Sequence, residues 1–391
     1  MAPAFKPFLS ELDNPQHYAK LKQRIEAGKL SDAKEATSEQ SKLLYPEYLV
    51  AATPAEANKY NNQKNVDGAK TDKGHLGDPE FKSLFNKPHK KFDLSPNLGT
   101  EIEGIQLSEL DDQGKNDLAL FLETRGLAIF RNQDFRDKGP EFAVNFGKYF
   151  GPLHIHPVAY SAKDHPELFV TFRKAGDGSR YEEAFKYTTG SYAWHSDVSF
   201  EEYPSSFSFF VALEAPESGG DTLFIDGREA YRRLSPQVQK FLEGLTAIHS
   251  NYYQNKMATL RNQVAKIKAD YFTEHPLVRT HPVTGEKSLF FSRVFIQKIK
   301  GLKASESDAI LNFLEDHVTN NPEFQVRAAH RGTDSRSVIV WDNRILLHSH
   351  CNDFLQHETS ARHHFRITNI GEKPYLDTEG SSSDDEKPKA Y

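Results

Sequence analysis

Cysteine is almost absent from this chain of 391 residues, in which Cys351 is the only one. One thiol cannot form an intramolecular disulfide, and it excludes any metal site built from several thiolates. A metal bound here would therefore need histidine and carboxylate ligands. A lone free thiol is typical of proteins in a reducing compartment, so we predict a cytoplasmic protein.

Long apolar runs and an excess of positive charge are also missing. No stretch of about 18 apolar residues occurs that could span a bilayer, and residues 1–10 contain no apolar signal core. Lysine and arginine total 49 against 55 aspartates and glutamates, and the formal net charge is −6. We therefore expect neither a membrane nor a nucleic acid as a partner.

Composition divides the chain into three parts. Residues 1–90 are polar and predict an N-terminal extension that is partly disordered, although stretches 45–50 and 81–85 carry apolar anchors able to dock on the main body. Residues 91–376 have the periodic apolar patterns of a folded domain. Residues 377–391 form an acidic tail, for which we predict disorder.

Short strands dominate the predicted domain. Apolar and alternating runs predict strands at 126–130, 207–213, 222–225, 288–291, 337–341 and 366–370. Turns containing proline and glycine separate them. Many short strands favour a sandwich or a barrel.

Two helices are predicted between these strands. The first begins with Ser235 as cap and Pro236 in the first turn. Its apolar face is predicted to consist of Val238, Phe241, Leu242 and Leu245. The second helix spans 305–318 and carries an apolar stripe that should pack against a sheet.

One short segment combines a histidine and a carboxylate at a spacing suited to metal binding. His195 and Asp197 lie two positions apart, and residues i and i+2 of an extended segment point to the same side. His348 is the candidate third ligand from a distant strand. Two histidines and one carboxylate on one face leave positions on ferrous iron open for dioxygen and a co-substrate.

The pair alone also fits other interpretations. The chain has 17 histidines, and His165 with Glu167 forms a rival pair of the same spacing. His195 could instead be a loop histidine and Asp197 a turn residue bonded to its own backbone. A zinc hydrolase could use the same three ligands, although the sequence offers no evident general base for it.

A cation further along the chain favours the iron interpretation. Arg362 follows His348 by fourteen residues and adjoins a strand-like run. A planar guanidinium can bind a carboxylate bidentately, as the distal carboxylate of 2-oxoglutarate requires. A surface ion pair is the alternative role for Arg362 taken singly, and the order of the candidates along the chain favours the co-substrate role.

From residue 92 to residue 375 the chain resembles the taurine dioxygenase family of 2-oxoglutarate-dependent enzymes. Beyond the candidate ligands, stretches similar to that family's motifs occur in the family's order at 153–157, 219–222, 275–282 and 324–327. The resemblance implies a mainly β fold with flanking helices around a double-stranded β-helix, or jelly-roll, core. The long N-terminal extension resembles fungal members, among them the sulfonate dioxygenases.

Carried over residue by residue, the resemblance implies a metal site and a co-substrate site. His195, Asp197 and His348 would bind Fe(II). Thr222 and Arg362 would hold the distal carboxylate of 2-oxoglutarate, and dioxygen would be the second co-substrate. No catalytic residue is expected beyond the metal ligands.

The same resemblance implies a substrate site for a small anion. His156 and Arg366 would bind a sulfonate together with the backbone N–H of Val198, and Phe295 would line the pocket. The implied reaction hydroxylates taurine or another alkanesulfonate at the carbon bearing sulfur, and releases sulfite and an aldehyde with succinate and carbon dioxide. Ser191 stands where the taurine-using member has an asparagine, so the match does not extend to the amine end of taurine.

Two other functions stay open at this point. The same iron chemistry could act on an alkyl sulfate, a purine or an aryloxy acid, because a family does not determine a substrate. A jelly-roll binding protein without catalysis is the alternative from another class. The three candidate ligands and Arg362 favour an enzyme, and a homo-oligomer is expected by analogy alone.

Overall fold

A computed structural model describes Ala19 and residues 44–48, 64–157, 160–173, 193–260, 272–332, 335–354 and 361–378. Within these ranges the architecture is mainly β, with helices packed against the sheets. Among the described residues, no helix combines the length and the apolar character needed to cross a membrane. Of the predicted acidic tail, residues 377 and 378 are described and the rest lies outside the described residues.

Sixteen strands build the sheets of the described residues, and one of them, β15, carries the candidate ligand His348. They are β1 Lys90–Asp93, β2 Thr100–Glu103, β3 Leu127–Phe130, β4 Tyr160–Ala162, β5 His165–Arg173, β6 Ser205–Glu214, β7 Thr222–Asp226, β8 Thr246–Ser250, β9 Phe272–Pro276, β10 Val278–Thr280, β11 Lys287–Leu289, β12 Ile296–Ile299, β13 Gln325–Ala328, β14 Val338–Asp342, β15 Leu346–His350 and β16 Arg362–Ile370.

These strands form four sheets. An eight-stranded sheet has the order β1-β2-β3-β14-β6-β16-β5-β4, and a three-stranded sheet has the order β13-β7-β15. The other two sheets are β12-β8-β9 and β10-β11. Only β2 and β3 pair in parallel among the described strands, and a predominantly antiparallel arrangement allows short connections.

Seven α-helices accompany the sheets in the described residues. They are α1 Gly68–Thr71, α2 Asp112–Arg125, α3 Gly139–Lys148, α4 Gly227–Arg232, α5 Pro236–Glu243, α6 Tyr252–Leu260 and α7 Ala304–Thr319. Helix α2 begins after Asp111, whose carboxylate accepts the Gly114 N–H at 2.7 Å. It ends at Gly126, whose φ of +71° suits glycine.

Alternation along the strands gives the eight-stranded sheet two different faces. Strands β6 and β16 are buried almost throughout, as expected where both faces of a sheet are covered. One face carries Phe209 and Ile367 and shares an apolar core with helices α2 and α3. The opposite, inner face carries Phe210 and Trp341, which pack with Phe224 of the three-stranded sheet.

The three-stranded sheet is covered by helices on its other side. Ile225 and Leu347 join a second apolar core together with Leu311 and Leu314 of helix α7. Because side chains alternate along a strand, His348, next to Leu347, faces inward toward the eight-stranded sheet. The space between the two sheets therefore receives side chains from β6, β7, β15 and β16.

Two stretches of the predicted N-terminal extension pack on the domain. Tyr48 is buried, and its ring stacks on Phe365 of β16 with 4.8 Å between the centroids. Leu84 is buried, and the ring of Phe81 packs edge-on against that of Phe121 of α2, with 5.2 Å between the centroids. Both apolar anchor stretches therefore dock on the main body. The boundary at residue 90 stays a prediction.

The predicted strands and helices are confirmed, with three differences, one of which is that Leu245 lies beyond helix α5, which ends at Glu243. The strand expected at 288–291 is shorter and ends at Leu289. Helix α5 has Ser235 as N-cap and Pro236 in its first turn, as predicted. The prediction that Phe241 shares a buried face with Leu242 was wrong, because Phe241 is 49% exposed. Leu242 is buried in the core beneath the helix, whereas Phe241, about 100° further around the helix, faces solvent.

Candidate active site

His195, Asp197 and His348 meet on the inner side of β15. The backbones of His195 and His348 exchange two hydrogen bonds, at 3.2 and 2.8 Å. Asp197 Oδ1 lies 3.6 Å from His348 Nε2 and 3.9 Å from His195 Nε2. One ligand atom from each residue lies within 4.8 Å of the other two. Among the described residues, the rival pair His165 and Glu167 belongs to no such group.

Hydrogen bonding and burial leave both imidazoles suited to bind a metal. His195 Nδ1 donates to the carbonyl of Ala193 at 2.6 Å, so the lone pair of His195 is on Nε2. Burial lowers the pKa of His195 and of His348, and both rings are neutral at pH 7. Two neutral imidazoles and one carboxylate are the donor set of ferrous iron sites, so these residues fit that metal.

The carboxylate of Asp197 is held by neighbours on both of its oxygens. Ser208 donates to Oδ2 at 3.0 Å, and Arg366 Nη1 donates to Oδ1 at 2.7 Å. Burial raises the pKa of Asp197, but the Arg366 guanidinium, the two imidazoles and the Ser208 hydrogen bond together outweigh it and hold this pKa well below the usual range. Asp197 is therefore ionised, as a metal ligand has to be.

Asn343 connects the turn at Asp197 to the eight-stranded sheet. Its side-chain oxygen accepts from Trp341 Nε1 at 2.9 Å and from the Asp197 N–H at 3.3 Å. Its amide donates to the Ser206 carbonyl at 2.8 Å and to Ser208 Oγ at 3.0 Å. Every hydrogen bond of this amide is therefore satisfied in a buried setting, which fixes the orientation of Asp197.

We expect Ser208→Ala to weaken Fe(II) binding by about tenfold, the lower end of the effect of residues that orient metal ligands. The variant loses the hydrogen bond to Asp197 Oδ2. Titration with Co(II), followed by its d–d absorbance, measures the dissociation constant. Ser205→Ala is the matched control, because Ser205 is a buried serine on β6 whose hydroxyl has no partner among the described residues. Equal constants for both variants would contradict the orienting role of Ser208.

A second group of candidate ligands, Glu123, His281 and Asp342, is an ion-pair network. Arg344 donates to Glu123 at 3.0 Å and to Asp342 at 2.8 Å. His281 has no free nitrogen, since Nδ1 accepts from two backbone N–H groups and Nε2 donates to Asp342 at 3.0 Å. Asp72 of the predicted extension also pairs with Arg344, at 2.5 Å. The Arg344 guanidinium therefore pairs with the carboxylates that a metal ion would need as ligands.

Arg362 begins β16 and lies beside the residues that precede Thr222. Its Nε donates to the Gly220 carbonyl at 3.0 Å, and its guanidinium carbon lies 5.4 Å from the ring centroid of Phe210. Gly220 has φ +67°, and a Cβ there would lie 3.1 Å from the Arg362 side chain, so glycine permits the contact. Burial lowers the pKa of Arg362 to about 10, so it is charged at neutral pH. Thr222 is buried as the first residue of β7.

Arg366 and His156 contact the same aromatic ring. His156 stacks on Phe169 of β5 with 4.1 Å between the centroids and 22° between the planes. The guanidinium carbon of Arg366 lies 4.8 Å from the centroid of Phe169. Since Arg366 also donates to Asp197, its side chain extends from the candidate metal ligands to this ring. Two side chains able to bind an anion therefore lie beside the candidate metal site.

Val198 and the apolar ring of Phe295 lie next to the candidate ligands. Val198 has φ +45°, a conformation rare for a β-branched residue and commoner at functional sites. It is buried in a cluster with Phe200 and Phe295. Phe295 meets the His195 ring edge-on, with 5.9 Å between the centroids. The backbone of Val198 and the ring of Phe295 therefore border the candidate site.

Two more buried histidines lie beyond Val198. His249 Nδ1 is hydrogen-bonded to Ser199 at 3.0 Å, and His275 Nε2 donates to the carbonyl of Glu201 at 2.8 Å. Burial lowers the pKa of His275 to about 4 and that of His249 well below its usual value. Both rings are therefore neutral in the folded protein at pH 7.

We expect the folded protein to lose stability as the pH falls from about 6.5 to about 4, by about 1.4 kcal/mol per pH unit for His275. In this window the unfolded chain binds a proton that buried His275 does not, and above it the two states do not differ. Urea unfolding at a series of pH values measures the slope. His275→Gln retains a donor for Glu201 and should reduce the slope by about 1.4 kcal/mol per pH unit, whereas exposed His75→Asn should leave it unchanged. Equal slopes for His275→Gln and the natural chain would contradict the assignment.

Sequence reasoning missed Phe169, Ser208 and the role of Asn343. Serines at 205, 206 and 208 interrupt the apolar run of β6, and a hydroxyl in a fully buried strand was a usable signal. Asn343, a polar side chain between two buried strands, gave the same kind of signal. Their partners were not readable, because Asn343 bonds to Ser206 and Ser208 on a strand distant in sequence, and the turn at Asp197 reaches Ser208 only in the folded protein. Phe169 carries no pattern that distinguishes it from ordinary core.

The fold and the site together define a class of protein. Two mainly antiparallel sheets enclose His195, Asp197 and His348, the ligand set of mononuclear non-haem iron oxygenases. Arg362 adds a buried cation with a single hydrogen bond among the described residues, from its Nε. This combination is typical of an oxygenase that takes an anionic co-substrate.

Comparison with known proteins identifies the family. The model of the taurine catabolism dioxygenase TauD, TfdA family matches residues 90–368. The alpha-ketoglutarate-dependent sulfonate dioxygenase of Saccharomyces cerevisiae is 40% identical over 344 residues, which are 87% of this chain and 81% of that protein. An alkylsulfatase of Acinetobacter baylyi is 32% identical over 288 residues, 71% of this chain and 84% of that protein.

A solved structure agrees with the sequence matches. The crystal structure of a taurine dioxygenase from Burkholderia xenovorans has a TM-score of 0.58 and 28% identity, and the match covers 74% of this chain and 93% of that chain. This chain belongs to the TauD, TfdA family. It is an iron- and 2-oxoglutarate-dependent dioxygenase, which confirms the predicted enzyme class and co-substrates.

Proposed function

We propose that this enzyme hydroxylates an alkanesulfonate at the carbon bearing sulfur. The product would collapse to sulfite and an aldehyde, while 2-oxoglutarate and dioxygen are converted to succinate and carbon dioxide. The observation that carries the proposal is the contact of both Arg366 and His156 with Phe169, beside Asp197. The yeast relative's name, a sulfonate dioxygenase, supports the same substrate class.

The proposal includes a finer description of the fold. We assign the eight-stranded and three-stranded sheets to the two halves of a double-stranded β-helix. Supporting this, strands β14, β6, β16 and β5 pair antiparallel in the first sheet, and β13, β7 and β15 pair antiparallel in the second. The candidate site lies between their inner faces, where ligands bind in small closed β structures.

His195, Asp197 and His348 are the proposed iron ligands, with Arg362 and Thr222 as the co-substrate site. Iron bound with 2-oxoglutarate supplies the activation of dioxygen. The guanidinium fork of Arg362 is proposed to bind the distal carboxylate, because the nearby carboxylates of Asp221 and Asp353 pair with Arg327 instead. A hydroxyl at Thr222 would donate to the same group.

Four further residues are proposed to hold the substrate. Arg366 and His156 bind the sulfonate from the Phe169 side, and the Val198 N–H meets it from the other. Phe295 excludes water and limits the space beside His195. Their role is to position a C–H bond, since a displacement of about 1 Å can cost about 100-fold in rate. Ser191 lies outside the described residues.

The test is an assay of products over a substrate panel. Anaerobically purified protein receives Fe(II), 2-oxoglutarate and air, with taurine, isethionate, longer alkanesulfonates, alkyl sulfates, xanthine or an aryloxyacetate. Sulfite and succinate in equal amounts with at least one sulfonate are expected. Arg366→Gln should raise the KM for that sulfonate by about 100-fold, because a charge-assisted pair is lost. Succinate stimulated by xanthine or the aryloxyacetate alone would overturn the sulfonate proposal.

An alkyl sulfate is the second candidate substrate. The alkylsulfatase relative supports it, and a sulfate ester presents the same tetrahedral anion to Arg366 and His156. Hydroxylation at the carbon next to the ester oxygen would release an aldehyde and sulfate, so ion chromatography distinguishes the two products. Sulfate formation without sulfite over the panel would replace the first proposal by the second.

Four sequence predictions are kept as proposals. We place the enzyme in the cytoplasm because its single cysteine, Cys351, suits a reducing compartment. Small anionic substrates, and no nucleic acid, are its proposed partners. We propose that the enzyme forms a homo-oligomer. We also propose a catalytic domain at residues 91–376, preceded by an N-terminal extension and followed by an acidic tail.

A further inference from the structure

The inner face of β16 carries three polar side chains in succession. Arg362, His364 and Arg366 occupy alternate positions, and alternate side chains of a strand share a face. The two arginines are the proposed partners of the co-substrate and of the substrate. His364 lies between them and is fully buried.

His364 and Arg362 have an aromatic neighbour in common. The His364 ring stacks on Phe210 with 4.5 Å between the centroids and 10° between the planes, and the Arg362 guanidinium carbon lies 5.4 Å from the same centroid. The ring centroid of a second buried imidazole, His330, lies 4.3 Å from that of His364. On the neighbouring strand β5, Thr171 is the direct register partner of His364. Histidines, threonine and arginine thus converge at one end of the inner face.

The two imidazoles and the hydroxyl have no hydrogen-bond partners among the described residues. Within the described ranges, both ring nitrogens of His364 and His330 and the hydroxyl of Thr171 are buried and unpartnered. Buried polar atoms without partners are costly, and a cluster of them calls for a ligand or for ordered water. Burial, with the charge of Arg362 nearby, lowers the pKa of His364 and of His330, so each ring is neutral and has one N–H to donate.

We propose that His364 is a further binding residue for the co-substrate, donating its N–H to the distal carboxylate that Arg362 holds, with His330 packed behind it. This inference rests on the proposed co-substrate site. A carboxylate has about four lone-pair positions, more than one guanidinium fork occupies, so a second donor beside Arg362 has an acceptor to meet. Thr171 Oγ1 is the nearest hydroxyl in the strand register for the remaining position.

Binding without turnover provides the test. The full-length protein, loaded with Mn(II) under nitrogen, is titrated calorimetrically with 2-oxoglutarate and with 2-oxobutyrate, which has no distal carboxylate. His364→Leu should raise the dissociation constant of 2-oxoglutarate by about tenfold, the effect of one lost hydrogen bond to a charged group. The same variant should bind 2-oxobutyrate as the natural chain does. His364→Gln retains an N–H and should lie within about threefold of the natural chain for 2-oxoglutarate.

His363→Leu is the matched control for this test. His363 is the residue of β16 that precedes His364, and it is equally buried. Its side chain points to the opposite face, where its ring centroid lies 5.4 Å from that of Phe172. Unchanged 2-oxoglutarate binding in His364→Leu would overturn the inference and leave the function standing. Equal weakening in His363→Leu, or equal weakening for 2-oxobutyrate, would indicate a structural or water-filled cluster and overturn it too. Failure of the natural chain to bind 2-oxoglutarate would instead reject the co-substrate site itself.

Discussion

His348→Ala is expected to abolish turnover, with a loss of about 1000-fold or more and a rise of at least about 100-fold in the dissociation constant for Fe(II). The variant removes one of three protein ligands, and even residues that only orient ligands contribute 10- to 100-fold. His350 lies two positions further along β15, but it is exposed at the end of the strand, so it does not replace His348 at the buried site.

Two measurements separate metal loss from misfolding in this variant. Titration with Co(II) gives the dissociation constant, and urea unfolding of the metal-free protein gives its stability. His165→Ala is the control, because His165 belongs to the rival pair and should bind Co(II) as the natural chain does. Co(II) binding by His348→Ala within about threefold of the natural chain would show that the ligand set is wrong.

Arg362→Met is expected to raise the KM for 2-oxoglutarate by about 100-fold, while Fe(II) binding stays unchanged. The distal carboxylate loses a charged, bidentate partner in a buried place, where such a pair contributes about 3 kcal/mol. The fold should tolerate the change, because Arg362 makes one hydrogen bond, to Gly220, among the described residues. Methionine also preserves the apolar contact with Phe210.

Steady-state kinetics with varied 2-oxoglutarate at a fixed sulfonate concentration measures this effect. Arg331→Met is the control, since Arg331 is an exposed arginine that pairs with Glu101 on β2. A KM for 2-oxoglutarate that changes by less than about twofold in Arg362→Met would assign Arg362 to a structural role. An equal rise in Arg331→Met would point to a general electrostatic effect.

The ligand motif and the secondary structure were readable from local patterns. His195 and Asp197 are two positions apart, and that spacing alone places them on one side of an extended segment. The strands around 207–213 and 337–341 follow from runs of apolar residues that no loop would carry. The absence of clustered cysteines had already restricted a metal site to histidine and carboxylate ligands.

Only the tertiary structure decided which distant side chains meet. The hydrogen bonds of Arg366 and Ser208 to Asp197 depend on the register of β16 and β6, and registers are set by the whole sheet. The pairing of Asp72 with the buried Arg344 also depends on the tertiary structure, because Asp72 lies in a polar stretch far from Arg344 in sequence. Amino-acid sequence by itself determined the kinds of ligand, the strands and the family resemblance. Packing of the two sheets determined their partners, because contacts between strands far apart in sequence leave no periodic pattern within either strand.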